Sequence, residues 1–135
     1  MIVLDCSAAI AVAQNTIEGR ALAALMLEGE RAIAPQLFMN ELANVTAKYV
    51  RGGYLAKEEA RDMARDAYDL IDEFVSGEGY WEEAWAESAR LRHPAYDLFY
   101  LILARRTGST LFTLDKRLQE FCLDNGAECV YLMSL

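Results

Sequence analysis

Two acidic side chains, Asp5 and Asp115, directly follow stretches of strand type. Ile2 to Leu4 is entirely apolar, and Ser109 to Leu114 is short, apolar and rich in Thr, so both stretches predict buried strands. A helical stretch follows each acid, and Asp is a common helix N-cap. Acids at the carboxyl ends of strands lie where open α/β sheets bind their ligands.

Two further acids, Asp97 and Glu41, interrupt apolar helical patterns. From Tyr96 to Ala104 every residue except Asp97 is apolar or aromatic, which predicts a helix buried almost all round. Glu41 belongs to an apolar stripe of four-residue spacing in a helix predicted from Gln36 to Arg51. A buried carboxylate is unfavourable unless it is compensated, so both positions need an explanation.

The four acids could share one site. If Asp5 and Asp115 end neighbouring parallel strands, their carboxylates lie side by side, and the two helices could bring Glu41 and Asp97 near them. Mutual repulsion would raise their pKa values, and Mg²⁺ or Mn²⁺ would relieve it. On a phosphodiester such ions orient a water, lower its pKa and neutralise charge on the phosphate. The pattern therefore predicts metal-dependent phosphodiester hydrolysis.

A purely structural explanation exists for each acid taken alone. The two strand-end acids would be helix caps, Asp97 would stabilise a helix N-terminus, and Glu41 would pair with a buried Arg. The occurrence of all four together, with the hydroxyl groups of Ser7 and Thr113 beside the strand-end acids, favours a shared site.

Composition limits the classes of protein that the chain can represent. Its 135 residues, 54% of them hydrophobic, suit one domain over residues 1–135, and no apolar run is long enough to span a membrane. The N-terminus lacks the pattern of a leader peptide, so we expect a cytoplasmic protein. Cys6, Cys122 and Cys129 lie in apolar surroundings and are expected in the core. The net charge of −8 argues against a broad basic nucleic-acid surface and favours basic partners.

Strand and helix patterns alternate along the chain, which predicts an α/β fold with a mainly parallel sheet and helices on both faces. A helix is predicted from Lys57 to Phe74, and a short edge strand, the third of the sheet, is expected within Val75 to Gly79. Another helix, from Tyr80 to Arg92, carries two tryptophans that we expect in the core. His93 is expected to start the next helix, and the last strand is predicted at Cys129 to Leu132.

The chain resembles the PIN-domain nucleases, and within them the VapC-like toxins of toxin–antitoxin pairs. The similarity extends over essentially the whole length. It rests on four short motifs that occur in a fixed order: IVLDCS with Asp5 and Ser7, NELANV with Glu41 and Asn44, AYDLFYLILA with Asp97, and LFTLDKRL with Thr113 and Asp115.

This resemblance implies a metal-dependent endoribonuclease in which the four acids hold Mg²⁺ or Mn²⁺. It also implies the strand order 3-2-1-4-5, a homodimer, and inhibition by a cognate antitoxin with a basic segment. Ser7, Asn44 and Thr113 would orient ligands or a phosphate, and Lys116 and Arg117 are candidate RNA contacts, with Lys48 or Arg51 as further candidates.

Two other functions fit parts of the sequence. A catalytically silent PIN-like module that binds RNA or protein would have the same fold, although intact acids argue against it. A phosphoacceptor signalling domain would have a similar size and an acidic pocket. It would, however, need paired acids after the first strand and a Lys at a later strand end, whereas Lys116 directly follows an acid.

Overall fold

The computed structural model describes residues 1–131, which form five strands and seven α-helices. The strands are β1 (Ile2–Leu4), β2 (Ala32–Pro35), β3 (Glu73–Val75), β4 (Thr110–Phe112) and β5 (Glu128–Cys129). The helices are α1 (Cys6–Ala13), α2 (Ile17–Leu25), α3 (Leu37–Arg51), α4 (Lys57–Asp69), α5 (Trp81–Leu91), α6 (Ala95–Thr107) and α7 (Lys116–Asp124). The last strand, predicted at Cys129 to Leu132, ends earlier than expected, because β5 stops at Cys129; Leu132 lies outside the described residues.

The five strands form one parallel sheet in the order β3-β2-β1-β4-β5, which confirms the predicted α/β fold and strand order. β1 lies at the centre, where Ile2 is in register with Ala32 of β2 on one side and with Thr110 of β4 on the other. All three residues of β1 are buried, as expected of a central parallel strand covered on both faces.

The helices form two packed groups, one made of α1 to α4 and the other of α5 to α7. Right-handed crossovers explain this division. The chain moves from β1 outward to β3, then returns past β1 to β4 and β5, so the two directions of travel place their helices on opposite faces of the sheet. α6 packs directly on β1, β2 and β4, which accounts for its burial from Leu98 to Ala104, apart from the half-buried Phe99.

The helix predicted from Lys57 to Phe74 is wrong at its end, because α4 stops at Asp69 and β3 begins at Glu73. The apolar spacing continues past the true end of the helix, but the backbone of Asp72 pairs with that of Ala32 instead. The Asp72 amide donates to the Ala32 carbonyl (2.8 Å), and the Asp72 carboxylate accepts from the Ala32 amide (2.8 Å). These bonds start the pairing of β3 with β2.

The predicted core position of Trp81 and Trp85 is also wrong, since the two residues are 52% and 66% exposed. α5 buries Ala84 against the protein instead. Part of its remaining surface forms ion pairs with α6, in which Glu83 accepts from Arg105 (2.7 Å) and Arg106 (2.8 Å). No helix within residues 1–131 is long and apolar enough to cross a membrane.

Candidate functional site

A cleft of about 440 Å³ opens at the carboxyl ends of β1 and β4. We call it the acidic cleft. It is lined by all four acids singled out in the sequence, Asp5, Glu41, Asp97 and Asp115, and by a fifth, Glu18. No Lys or Arg of the described chain lines it. The structure thus brings the four predicted carboxylates together without a cationic partner among the lining side chains.

Asp5 is the most buried of these acids, because it leaves the end of the central strand and caps α1. Its Oδ1 accepts from the Ala8 amide (2.9 Å) and the Ser7 hydroxyl (2.7 Å), and its Oδ2 accepts from the Thr113 hydroxyl. Burial, together with repulsion by the nearby Asp115, raises the pKa of Asp5 to about 6 despite these hydrogen bonds.

Glu41 reaches the cleft from α3 and is half-buried. The buried Tyr100 hydroxyl donates to its Oε1 at 2.7 Å. Burial raises the pKa of Glu41 to about 7; the Tyr100 hydrogen bond opposes this shift, while Asp5 and Asp97 increase it through repulsion. The acids are therefore close enough to influence one another's protonation.

Asp97 lies in the first turn of α6, where a carboxylate is favoured by the helix dipole. His93 Nε2 donates to its Oδ2 at 2.6 Å, a hydrogen bond across four residues. The His93 ring also packs edge-on against Phe121 of α7, with the ring centroids 4.9 Å apart. His93 consequently fixes both the position of Asp97 and the contact between α6 and α7.

Asp115 caps α7, and its Oδ1 accepts from the amides of Arg117 (2.9 Å) and Leu118 (3.3 Å). Its own amide donates to Thr113 Oγ1 at 3.0 Å, and Thr113 in turn donates to Asp5. Thr113 thereby links the two strand-end acids and fixes their relative positions.

The chemistry of the donors suits a hard divalent cation, since carboxylate oxygens predominate and two carboxyl groups have pKa values raised by burial and repulsion. As the side chains stand, no three acidic, His or Cys side chains of residues 1–131 form a ready-made metal site. Asp5, Glu41, Asp97 and Asp115 are the lining residues that could hold such a cation.

The other predicted site residues lie in different places. Ser7 lines the acidic cleft, and Thr113 is buried beneath it. Asn44 lines a neighbouring pocket that shares Glu41 and Asp97 with the cleft.

The predicted basic contacts lie outside the cleft lining, on the exposed surface. Lys116 and Arg117 follow Asp115 in the first turn of α7, and the Arg117 guanidinium lies 5.6 Å from the Phe121 ring centroid. Lys48 and Arg51 lie in the last turn of α3 and are also exposed.

Among the residues that contact or line the site, sequence reasoning did not single out Tyr100, His93 or Glu18. The sequence does point to Tyr100, because a hydroxyl group in an otherwise apolar stretch of helix needs a polar partner. His93 lies four residues before Asp97, a spacing that brings side chains together around a helix start. Glu18 carries no signal that separates it from an ordinary surface acid of an amphipathic helix.

Comparison with known proteins agrees with this architecture. Ribonuclease VapC3 of Pyrobaculum aerophilum is 28% identical over 120 residues, which cover 77% of this chain and 91% of the relative. The crystal structure of PAE2754 from Pyrobaculum aerophilum matches with a TM-score of 0.71 at 20% identity, over 96% of this chain and 88% of that one, so the two share a fold. The profile of the PIN domain family matches residues 2–123. The resemblance found in the sequence motifs is confirmed, and the chain belongs to the PIN domain family.

Proposed function

We propose that the protein is a Mg²⁺- or Mn²⁺-dependent endoribonuclease that hydrolyses RNA phosphodiesters in the acidic cleft. The observation that carries the proposal is the convergence of four carboxylates on a cleft whose described lining contains no Lys or Arg. The family membership and the similarity to a ribonuclease support it. Asp5, Glu41, Asp97 and Asp115 would hold the metal.

A bound divalent cation would activate water and offset the charge that develops on the phosphate. The protein's own residues keep the carboxylates in position for this role. Thr113 and Ser7 orient Asp5, Tyr100 holds Glu41, and His93 holds Asp97. Such supporting hydrogen bonds typically change metal affinity or activity 10–100-fold when they are removed.

The decisive variant is Asp97→Asn, which keeps the size of the side chain and the helical context but removes a charge. We expect it to abolish Mn²⁺-dependent cleavage of total RNA. The matched control is Asp66→Asn, the same substitution on the exposed surface of α4, which should cleave like the wild type. Retained cleavage by a folded Asp97→Asn protein would contradict the site.

We further propose that the protein is the toxin of a toxin–antitoxin pair, acting in the cytoplasm as a homodimer and inhibited by an antitoxin with a basic segment. The similarity to a VapC ribonuclease and the net charge of −8 support this proposal. Light scattering of the purified protein would test the dimer. Inhibition of cleavage by the co-expressed partner would test the antitoxin.

A further inference from the structure

A second pocket, of about 600 Å³, adjoins the acidic cleft and shares Glu41 and Asp97 with it. We call it the amide pocket, because three side-chain amides contribute to its wall. Besides Glu41 and Asp97, it is lined by residues from the first half of α3 and its N-cap and from the segment that begins α6: Gln36, Leu37, Asn40, Asn44, Pro94 and Tyr96. A molecule whose phosphate lies in the cleft could place its adjoining group here.

The amides belong to Gln36, Asn40 and Asn44, which recur at intervals of four residues and therefore lie along one side of α3. All three are exposed. Within residues 1–131, their side chains make no hydrogen bond to another protein group, whereas the Asn125 amide donates to the Phe121 carbonyl at 2.7 Å. The pocket thus offers unused donors and acceptors, and an amide presents one of each side by side.

The pocket also presents an aromatic ring. Tyr96 is 69% exposed, although it directly precedes Asp97 and belongs to a helix that is otherwise largely buried. Tyr100, one turn later, is 1% exposed and donates to Glu41, so the two tyrosines of α6 are used differently. An exposed aromatic side chain beside unpaired amides provides a stacking surface together with hydrogen-bonding groups.

The charges of the pocket select among possible occupants. Glu41 and Asp97 are the charged residues of its described lining, and no Lys or Arg contributes to it. A phosphate or an acidic peptide would be repelled, whereas a flat, uncharged ring with donors and acceptors at its edge matches the amides and Tyr96. A basic peptide would pair with the two acids but would leave the three amides of the pocket without hydrogen-bond partners.

We propose that the amide pocket binds the base of an unpaired ribonucleotide next to the phosphate held in the acidic cleft. This inference rests on the proposed function, since it takes RNA as the substrate of that cleft. Tyr96 stacks on the base, and Asn40 and Gln36, with Asn44, hydrogen-bond to its edge. The pocket thereby contributes to the choice of the cleavage site.

The test is binding of the four ribonucleoside 5′-monophosphates in the presence of Mg²⁺, followed by NMR of the Tyr96 ring and the Asn40 side-chain amide. These probes have no internucleotide bond to hydrolyse, so binding is measured separately from cleavage. Tyr96→Ala should weaken binding of at least one nucleotide about 10-fold, in line with the loss of one stacked base. Tyr96→Phe should bind like the wild type, because it keeps the ring.

Ribose 5-phosphate, which lacks the base, is the control ligand, and its affinity should be the same for the wild type and Tyr96→Ala. Tyr54→Ala, a change at a tyrosine that is 79% exposed after the end of α3, is the control variant. Equal nucleotide affinities for Tyr96→Ala and the wild type would overturn the inference, as would nucleotides binding no better than ribose 5-phosphate. If the wild type bound nucleotides through Tyr96 but cleaved no RNA, the base-binding pocket would be supported and the proposed nuclease function would be refuted.

Discussion

At the scale of single residues, the acids of the cleft have separate partners. Asp5 is held by Thr113 and Ser7, Glu41 by Tyr100, and Asp97 by His93. These partners keep the carboxylates ordered in the absence of a cation. They do not offset the burial of Glu41 and its repulsion by Asp5 and Asp97, which together raise the pKa of Glu41 to about 7.

Glu41→Gln tests whether the charged form of this half-buried carboxyl group destabilises the metal-free protein. The folded protein keeps the Glu41 proton up to a pKa of about 7, whereas the unfolded chain releases it near 4.5, so the free energy of unfolding falls as the pH rises between these values. Gln keeps an oxygen that can accept from Tyr100 and removes the titration. We expect the variant to match the wild type at low pH and to exceed it in stability above pH 7.

Urea unfolding in a metal chelator, at one pH below 4.5 and one above 7, measures this difference. Asp66→Gln, on the exposed surface of α4, is a control for the loss of one negative charge. A large loss of stability in Glu41→Gln above pH 7 would instead show that Glu41 is stabilised by a cationic partner.

At the scale of elements, the acidic cleft depends on how closely α1 and α2 pack. A Cβ atom on Gly19 would lie 1.9 Å from the Ala11 carbonyl oxygen and 2.8 Å from the Val12 amide nitrogen, so only glycine fits without moving the backbone. Thr16 caps α2 at the same place, accepting from the Gly19 amide at 3.0 Å. Ala11 and Thr16 both line the cleft, so this contact sets the shape of one wall.

Gly19→Ala should therefore push α1 and α2 apart. We expect the free energy of unfolding to fall by about 1–3 kcal/mol, the usual effect of overpacking, even though Ala favours helix. Gly79→Ala is the matched control, since a Cβ there would meet no atom within 4 Å. Equal stability of the two variants in urea unfolding would show that the helices separate without strain.

These elements also show what sequence alone could and could not establish. The strand-end acids were found because β1 and β4 carry clear local signals and parallel strands bring their ends together. The bond from Tyr100 to Glu41 depends on how α6 packs on α3, so no local pattern identifies that partner. The bond from His93 to Asp97 is local, and its four-residue spacing was a signal that went unused. Helical spacing showed correctly that Trp81 and Trp85 share one face of α5, but not which face packs against the protein.

At the scale of the whole molecule, the net charge of −8 favours association with basic partners, as does an acidic cleft lined by no Lys or Arg from residues 1–131. We expect a small protein with a basic segment to co-purify when the chain is expressed from its native operon. Since the attraction between exposed charges is screened by salt, the partner should dissociate more readily as the ionic strength rises. Purification at low salt without any such partner would count against the toxin proposal.

The hydrogen bond between Thr113 and Asp5 joins residues 108 positions apart in the chain. During synthesis on the ribosome, the first strand leaves the exit tunnel long before β4, its partner in the centre of the sheet. A nascent chain that already contains Asp5, Glu41 and Asp97 consequently lacks both the strand and the hydroxyl that fix the cleft. The acidic cleft therefore cannot assemble in a nascent chain that ends before Thr113, so the four carboxylates come together only after β4 has been synthesised.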